Sequence, residues 1–242
     1  MTIHAQNKLA LSKANSWKMF NDISPRYDLL NRLLSLGLDI HWRNQLTNFL
    51  PAKDNLKVLD LATGTADVLI SLFKNSPSMQ TGYGIDMAEK MLAIGEKKVI
   101  KQKLDKQIIL QPGDAHKIPF NDQTFDSVTI AFGIRNMTGH QQVLSEMYRV
   151  LNKEGRAIIL EFSLPENLLL RALHLFYLRF VVPAVGFLFS GHYSAYRYLN
   201  QTIEEFPYGK NFCKVISDAG FQNASCHPLM FGIASIYVGD KK

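Results

Sequence analysis

Apolar positions along the chain follow two rhythms. From Leu56 onward, short apolar runs alternate with segments whose apolar residues recur every three or four positions. The run "KVLDLA" (57–62) predicts a strand and Asp67–Lys74 a helix. "TGYGID" (81–86) predicts a second strand, and 87–104 a second helix. "KQIILQPGD" (106–114) and "FDSVTIAF" (125–132) read as strands three and four. A helix around Gln141–Val150 then leads to a fifth strand, "GRAIILEF" (155–162). Such alternation predicts an α/β fold with a mostly parallel sheet covered by helices on both faces. "FQNASCHPL" and "FGIASIYVGD" have no helix between them, so they are expected to pair antiparallel.

Two regions lie outside this alternation. Residues 8–50 read as helical with a polar interruption near "NDISPRYD". Residues 164–191 are almost continuously apolar, yet Arg171, His174, Arg179 and Pro183 argue against a lipid-facing span. This insert fits a lid over an apolar cavity or a helix lying in the membrane interface, against the alternative of an ordinary core helix. One domain is expected over 1–242, with an N-terminal helical cap (1–50) and an apolar lid or substrate insert (164–206).

Composition narrows the picture little. The chain has 242 residues, 27 basic and 21 acidic, for a net charge of +6. That excess suits a mild attraction to anionic surfaces, and no nucleic-acid motif accompanies it. Cys213 and Cys226 match no metal or redox spacing, which points to a cytoplasmic setting. The N-terminal segment lacks the apolar core of a signal peptide.

The candidate chemistry sits at strand ends. Strand one runs into "LDLATGTADV" (59–68), where Gly64 lets the backbone approach a ligand. The loop is neither a G-x-G-x-x-G dinucleotide fingerprint nor a Walker loop, so a pyrophosphate is disfavoured. Asp86 ends strand two at a position suited to ribose hydroxyls, and Asp114 ends strand three where it can accept from an adenine amino group. A glycine loop and two acids on successive strands imply a nucleoside without phosphates. S-adenosylmethionine fits, because its sulfonium tolerates Asp60, Asp67, Asp86 and Asp114 nearby. Taken singly, each acid could instead be a helix cap or turn residue.

"VLDLATGTADV", "GIDMAEKML", "GDAHKIPFNDQTFDSVTIAFGIRNM", "EMYRVLNKEGRAIILEFS", "YRYLNQTIEEFP" and "FNDISPRYDLLNRLLSLGLDIHWR" resemble the quinone C-methyltransferases of menaquinone and ubiquinone biosynthesis. The resemblance runs from about Trp17 to Lys241. It implies a class I, Rossmann-like methyltransferase fold of seven strands and methyl transfer to a ring carbon of a prenylated quinol, with demethylmenaquinol favoured over the benzoquinol. It carries cofactor contacts onto Thr65, Asp86, Asp114 and Ala115, with Asp60, Gly64, Met87 and Ala131 completing the expected set. Two departures stand out. Ala66 replaces a glycine and is expected to be tolerated only at negative φ. Ala131 replaces a serine, at the cost of one hydrogen bond.

A phenol titrates near pH 10, so holding a quinol as its anion at pH 7 needs about 4 kcal/mol of assistance. Arg135 and Asn136, just after strand four, are the catalytic candidates: a fixed cation and an amide that stabilise the phenolate. Gly133 is expected to let the chain turn there. Arg135 cannot serve as the base, and could alternatively pair with Glu161 at the surface. The proton acceptor stays open among a bound water, Asp86 through water, His192 and a tyrosine. Tyr27, His192, Tyr196 and Tyr198 are the expected substrate contacts; His116 and His140 read as surface turn residues. No metal is expected, peripheral membrane contact at the inner face is compatible with the insert, and homo-oligomerisation stays open. The rival readings are a phospholipid or sterol methyltransferase and a non-catalytic quinone-binding scaffold, the latter favoured by Ala66 and Ala131.

Overall fold

A computed structural model describes residues 13, 15–184 and 193–242. Among the described residues, the N-terminal part carries three short helices: α1 (Ser16–Ile23), α2 (Tyr27–Leu34) and α3 (Leu38–Gln45). The alternation follows as β1 (Leu56–Leu61), α4 (Asp67–Asn75), β2 (Met79–Asp86), α5 (Glu89–Lys101), β3 (Ile108–Pro112), β4 (Phe125–Ala131), α6 (His140–Val150) and β5 (Leu151–Phe162). The insert contains α7 (Leu168–Phe176), continued as a π-helical turn over Tyr177–Val181, and α8 (Tyr193–Glu205). The chain ends with α9 (Lys210–Asp218), β6 (Gln222–Leu229) and β7 (Ala234–Asp240).

The strands form one seven-stranded sheet in the order β3-β2-β1-β4-β5-β7-β6. β1 to β5 run parallel, and β7 inserts antiparallel between β5 and β6. The expected antiparallel pairing of the last two strands is present, and β7 is also the neighbour of β5. The β5 strand begins four residues earlier than its apolar run, because Leu151 already pairs with Phe125. Separate apolar clusters cover the two sheet faces: Phe125, Val128, Ile130 and Ile159 point to one, Val58, Ile158, Leu160 and Ile236 to the other. Burial on both faces explains the nearly continuous apolar character of β4 and β5.

The N-terminal helices are tied to the sheet's ligand edge by charge. Lys98 Nζ of α5 lies 2.7 Å from Asp28 Oδ2 of α2 and 2.5 Å from Asp67 Oδ1 of α4, and donates to Thr65 Oγ1 at 2.8 Å. Arg32 of α2 reaches Asp67 Oδ2 at 3.2 Å. α7 is opened by Asn167, whose side-chain oxygen accepts from the Leu169 and Leu170 N–H groups, a standard N-cap. No helix among the described residues is long and apolar enough to cross a membrane.

Candidate active site

Two cavities open beyond the carboxyl ends of the parallel strands. The first, about 310 Å³, is lined by Gly64, Asp86, Met87, Asp114, Ala115, Ala131 and Asn136. Gly64 has φ +55°, and its N–H donates to Asp86 Oδ2 at 2.8 Å. The other oxygen, Oδ1, accepts from the Ala88 N–H at 2.7 Å. These bonds aim the carboxylate while burial pushes its pKa above the usual carboxylate range. Asp114 is steadied by the His116 backbone N–H at 2.9 Å and by the ring's Nδ1 at 2.7 Å; the ring's Nε2 lies 2.7 Å from the Thr138 carbonyl. His116 therefore belongs to this cavity's wall, against its expected role as a surface turn residue. His140, the other histidine expected at the surface, packs against Phe206 and Phe212, and burial lowers its pKa to about 4.

Two of the expected cofactor residues stand outside this lining. Asp60 is fully buried in β1, accepts from Thr129 Oγ1 at 2.6 Å, and burial pushes its pKa up to about 7. Thr65 donates to Asp28 Oδ1 at 2.8 Å and accepts from Lys98, so its hydroxyl ties the loop to α2.

The loop conformations correct two expectations. Ala66 sits at φ +64°, not at negative φ, and caps α4 in the left-handed region. An L-residue there costs about 1–2 kcal/mol, and burial of its methyl offsets part of that. The turn after β4 is made at Phe132, with φ +57°, whereas Gly133 has φ −105°. Gly133 is needed for space: a Cβ there would stand 2.8 Å from that of Ala62.

The second cavity, about 370 Å³, is almost wholly apolar. Trp42, Phe132 and Phe162 form an aromatic wall with centroid separations of 4.7–6.2 Å. The α7 segment and Phe231 close the other side. Arg135 lines this cavity, 2 % exposed, over the Phe162 ring at 5.2 Å. Its Nη1 donates to Glu161 Oε1 at 2.7 Å and to the Phe132 carbonyl, and Nε has no partner. Glu161 is 0 % exposed, so the ion pair weighed above exists but is buried. Burial pushes the Glu161 carboxyl up, and Arg135 is the strongest group opposing that shift. Asn136 Nδ2 donates to the Phe132 carbonyl at 3.3 Å, leaving Oδ1 buried without a partner.

Tyr27, Phe20 and Phe132 line both cavities, so the two spaces meet at these rings. Among the expected substrate residues, Tyr27 is thus at the junction. Tyr198 is buried, with its pKa pushed up to about 12, and lines neither cavity. His192 and the Tyr196 side chain lie outside the described residues.

A seven-stranded sheet with β7 reversed, a glycine loop after β1 and acids closing β2 and β3 define a class I methyltransferase. The same fold occurs in an S-adenosylmethionine-dependent methyltransferase of Thermotoga maritima (TM-score 0.65, 17% identity, covering 93% of this chain and 99% of that one). It recurs in one from Aquifex aeolicus (TM-score 0.57, 18% identity, 83% and 89%). The chain belongs to the ubiE/COQ5 methyltransferase family, whose model matches residues 8–241. It is 44% identical to a ubiquinone/menaquinone biosynthesis C-methyltransferase of Geobacter sulfurreducens, covering 92% of this chain and 87% of that protein. It is 41% identical to a demethylmenaquinone methyltransferase of Thermotoga maritima, covering 95% and 97%. Another protein of that name, from Bacteroides fragilis, shares 39% identity over 93% and 91%.

Proposed function

We propose that this enzyme methylates a ring carbon of a prenylated quinol, demethylmenaquinol in particular, with S-adenosylmethionine as donor. The observation that carries the reading is the junction of an acid-lined cavity with an apolar one at Tyr27 and Phe132. S-adenosylmethionine supplies a methyl carbon already activated by positive sulfur. The first cavity fits it: Asp86 and Asp114 suit a cationic nucleoside, and the orphaned, buried Oδ1 of Asn136 awaits a polar partner. In the second cavity Trp42, Phe132 and Phe162 take the ring, and Arg135, whose Nε has no partner, supplies the fixed cation for the developing phenolate. Within the expected cap (1–50) and lid (164–206), residues 13, 15–50, 164–184 and 193–206 act around this junction; the remainder of both lies outside the described residues.

The names of the Thermotoga and Bacteroides relatives support menaquinol over ubiquinol chemistry. The 370 Å³ cavity lies at the lower end of the roughly 300–1,000 Å³ that hold one drug-sized ligand, which suits a bicyclic ring. A prenyl tail must leave through the mouth. Leu168, Leu169, Phe176 and Phe180, on the helical segment that also lines the cavity, are exposed, as is the lining residue Phe231, which supports docking at the inner face of the membrane. The deciding experiment offers labelled S-adenosylmethionine with demethylmenaquinol and, separately, with the demethylated benzoquinol. Methylated naphthoquinol of the right mass is expected. Calorimetric titration without S-adenosylmethionine binding, or transfer to neither quinol, refutes the reading.

A further inference from the structure

Helix α7 inverts the usual burial pattern. Leu168, Leu169 and Leu173 are 79%, 71% and 59% exposed, while the polar His174 is 8% exposed. It is the buried residue of that helix. Its Nε2 is sealed from solvent with no hydrogen-bond partner, and burial alone lowers its pKa, so the ring is neutral near pH 7. Orphaning a buried polar nitrogen destabilises the fold, and an orphan kept at that cost asks for a reason. His174 lines the apolar cavity together with Arg135.

The other titratable groups facing that cavity are committed or ill-suited. Asp39 of α3 accepts from Arg43 and Ser35. Glu161 accepts from Arg135 and from the Phe162 N–H. Tyr27 of α2 is bonded by Asn31, and burial raises its pKa; burial also raises that of Tyr177. Asp86 and His116 belong to the other cavity. Among the described residues, His174 is the neutral base in this cavity with a nitrogen to spare.

We propose that His174 is the proton acceptor for the quinol hydroxyl, an inference that rests on the quinol reading above. When the His174 ring turns so that Nε2 meets the cavity, the hydroxyl proton moves to it, and the electron pair left on oxygen feeds the adjacent ring carbon. That carbon bonds the methyl group as the methyl–sulfur bond breaks, its electron pair staying on sulfur. The ring carbon then releases its hydrogen as a proton to water, which restores the aromatic ring, and His174 returns its proton to the oxygen. Arg135 holds the oxygen while it is anionic.

Two measurements test this. First, the wild-type pH profile of kcat/KM for demethylmenaquinol should rise through an apparent pKa below the ordinary histidine value of 6.5. His174→Gln should abolish that limb, lower kcat about 10²-fold near pH 7 and leave the KM for S-adenosylmethionine unchanged. Second, a naphthol probe, whose absorbance moves to longer wavelength on ionisation, should bind the donor-free wild type as its anion and His174→Gln in its neutral form. A wild-type profile without the limb overturns the assignment, as does the same probe spectrum in both proteins. Wild-type protein that methylates no prenylated quinol overturns the underlying reading as well; turnover by the wild type and equally by His174→Gln overturns the histidine alone.

Discussion

Replacing Arg135 by methionine separates its structural from its chemical role. The substitution keeps a long side chain over the Phe162 ring but leaves Glu161, 0% exposed, without its cation. Breaking one half of a buried ion pair costs about 3–5 kcal/mol, a large part of the 5–15 kcal/mol that holds a typical domain folded. Glu161 limits that cost by taking up a proton. Burial already raises its pKa above the ordinary 4.5, and loss of Arg135 removes the main opposing charge. A folded pKa above the unfolded one stabilises fully below the unfolded value and loses that contribution as pH rises through the folded value. Arg135→Met should therefore be more stable at pH 5 than at pH 8 relative to the wild type, by urea unfolding. Adding Glu161→Gln removes the titrating group and should recover most of the stability with a flat pH response. The double variant should still transfer methyl groups about 10²-fold more slowly, since the phenolate has lost its cation. Wild-type turnover in the double variant would falsify the catalytic assignment. A single variant as stable as the wild type at pH 8 would contradict the buried pair itself.

Three further outcomes follow from named contacts. Asp60 has a folded pKa of about 7 against an ordinary 3.8, so its protonated form favours the fold at low pH, and that contribution, on the order of 4 kcal/mol, fades as pH climbs through 7. Unfolding of Asp60→Asn should lack this part of the pH dependence, and an unchanged slope would refute the assignment. Lys98→Met removes the ammonium that bridges Asp28, Thr65 and Asp67, leaves α2 held to the loop by the Thr65–Asp28 bond and the Arg32–Asp67 pair, and should raise the KM for S-adenosylmethionine about tenfold, with Lys98→Arg partly restoring it; an unaltered KM would mean that the link is idle. Vesicle flotation should retain the wild type and lose Leu169→Ser/Phe176→Ser at least tenfold, since each buried side chain is worth about 1.5–3 kcal/mol; equal flotation of both would place the contact elsewhere.

The cavity-bearing strand ends were legible because parallel strands advertise themselves. Buried on both faces, β1, β4 and β5 read as apolar runs, and the cavity residues lie at the ends of the parallel strands or in the loops that follow them. Gly64, Asp86, Met87, Asp114, Ala115, Ala131 and Asn136 converge as their positions imply. What escaped depends on pairing between distant residues. Glu161 lies 26 positions from Arg135, and nothing local marks their burial together. Thr65 stands in the loop expected to hold the cofactor, yet Asp28, 37 positions away, accepts from its hydroxyl. The place of β7 between β5 and β6 is likewise a long-range outcome. His174 left one signal, a polar residue amid leucines, but an apolar-moment argument assigns the leucines to the core and the histidine to water. The structure reverses both: His174 lines the cavity beneath the helix while Leu168, Leu169 and Leu173 are exposed.

Strain at the site follows the same division between local and long-range causes. Ala62, Ala66 and Phe132 all adopt positive φ in loops at the carboxyl ends of β1 and β4, where glycine would relieve about 1–2 kcal/mol each. Each is held by packing that glycine could not supply: Ala66 is wholly buried, and Phe132 packs on Trp42 and Phe162 while sharing both cavities. The left-handed turn at Phe132 also points its carbonyl at Arg135 and Asn136, which both donate to it. One strained residue therefore forms a wall shared by the two cavities and orients Arg135 of the apolar cavity and Asn136 of the acid-lined one. A glycine at this position would relax the turn yet remove the wall. The strain is thus coupled to in-line positioning of the two substrates, in which a small displacement of either ring is costly to the rate.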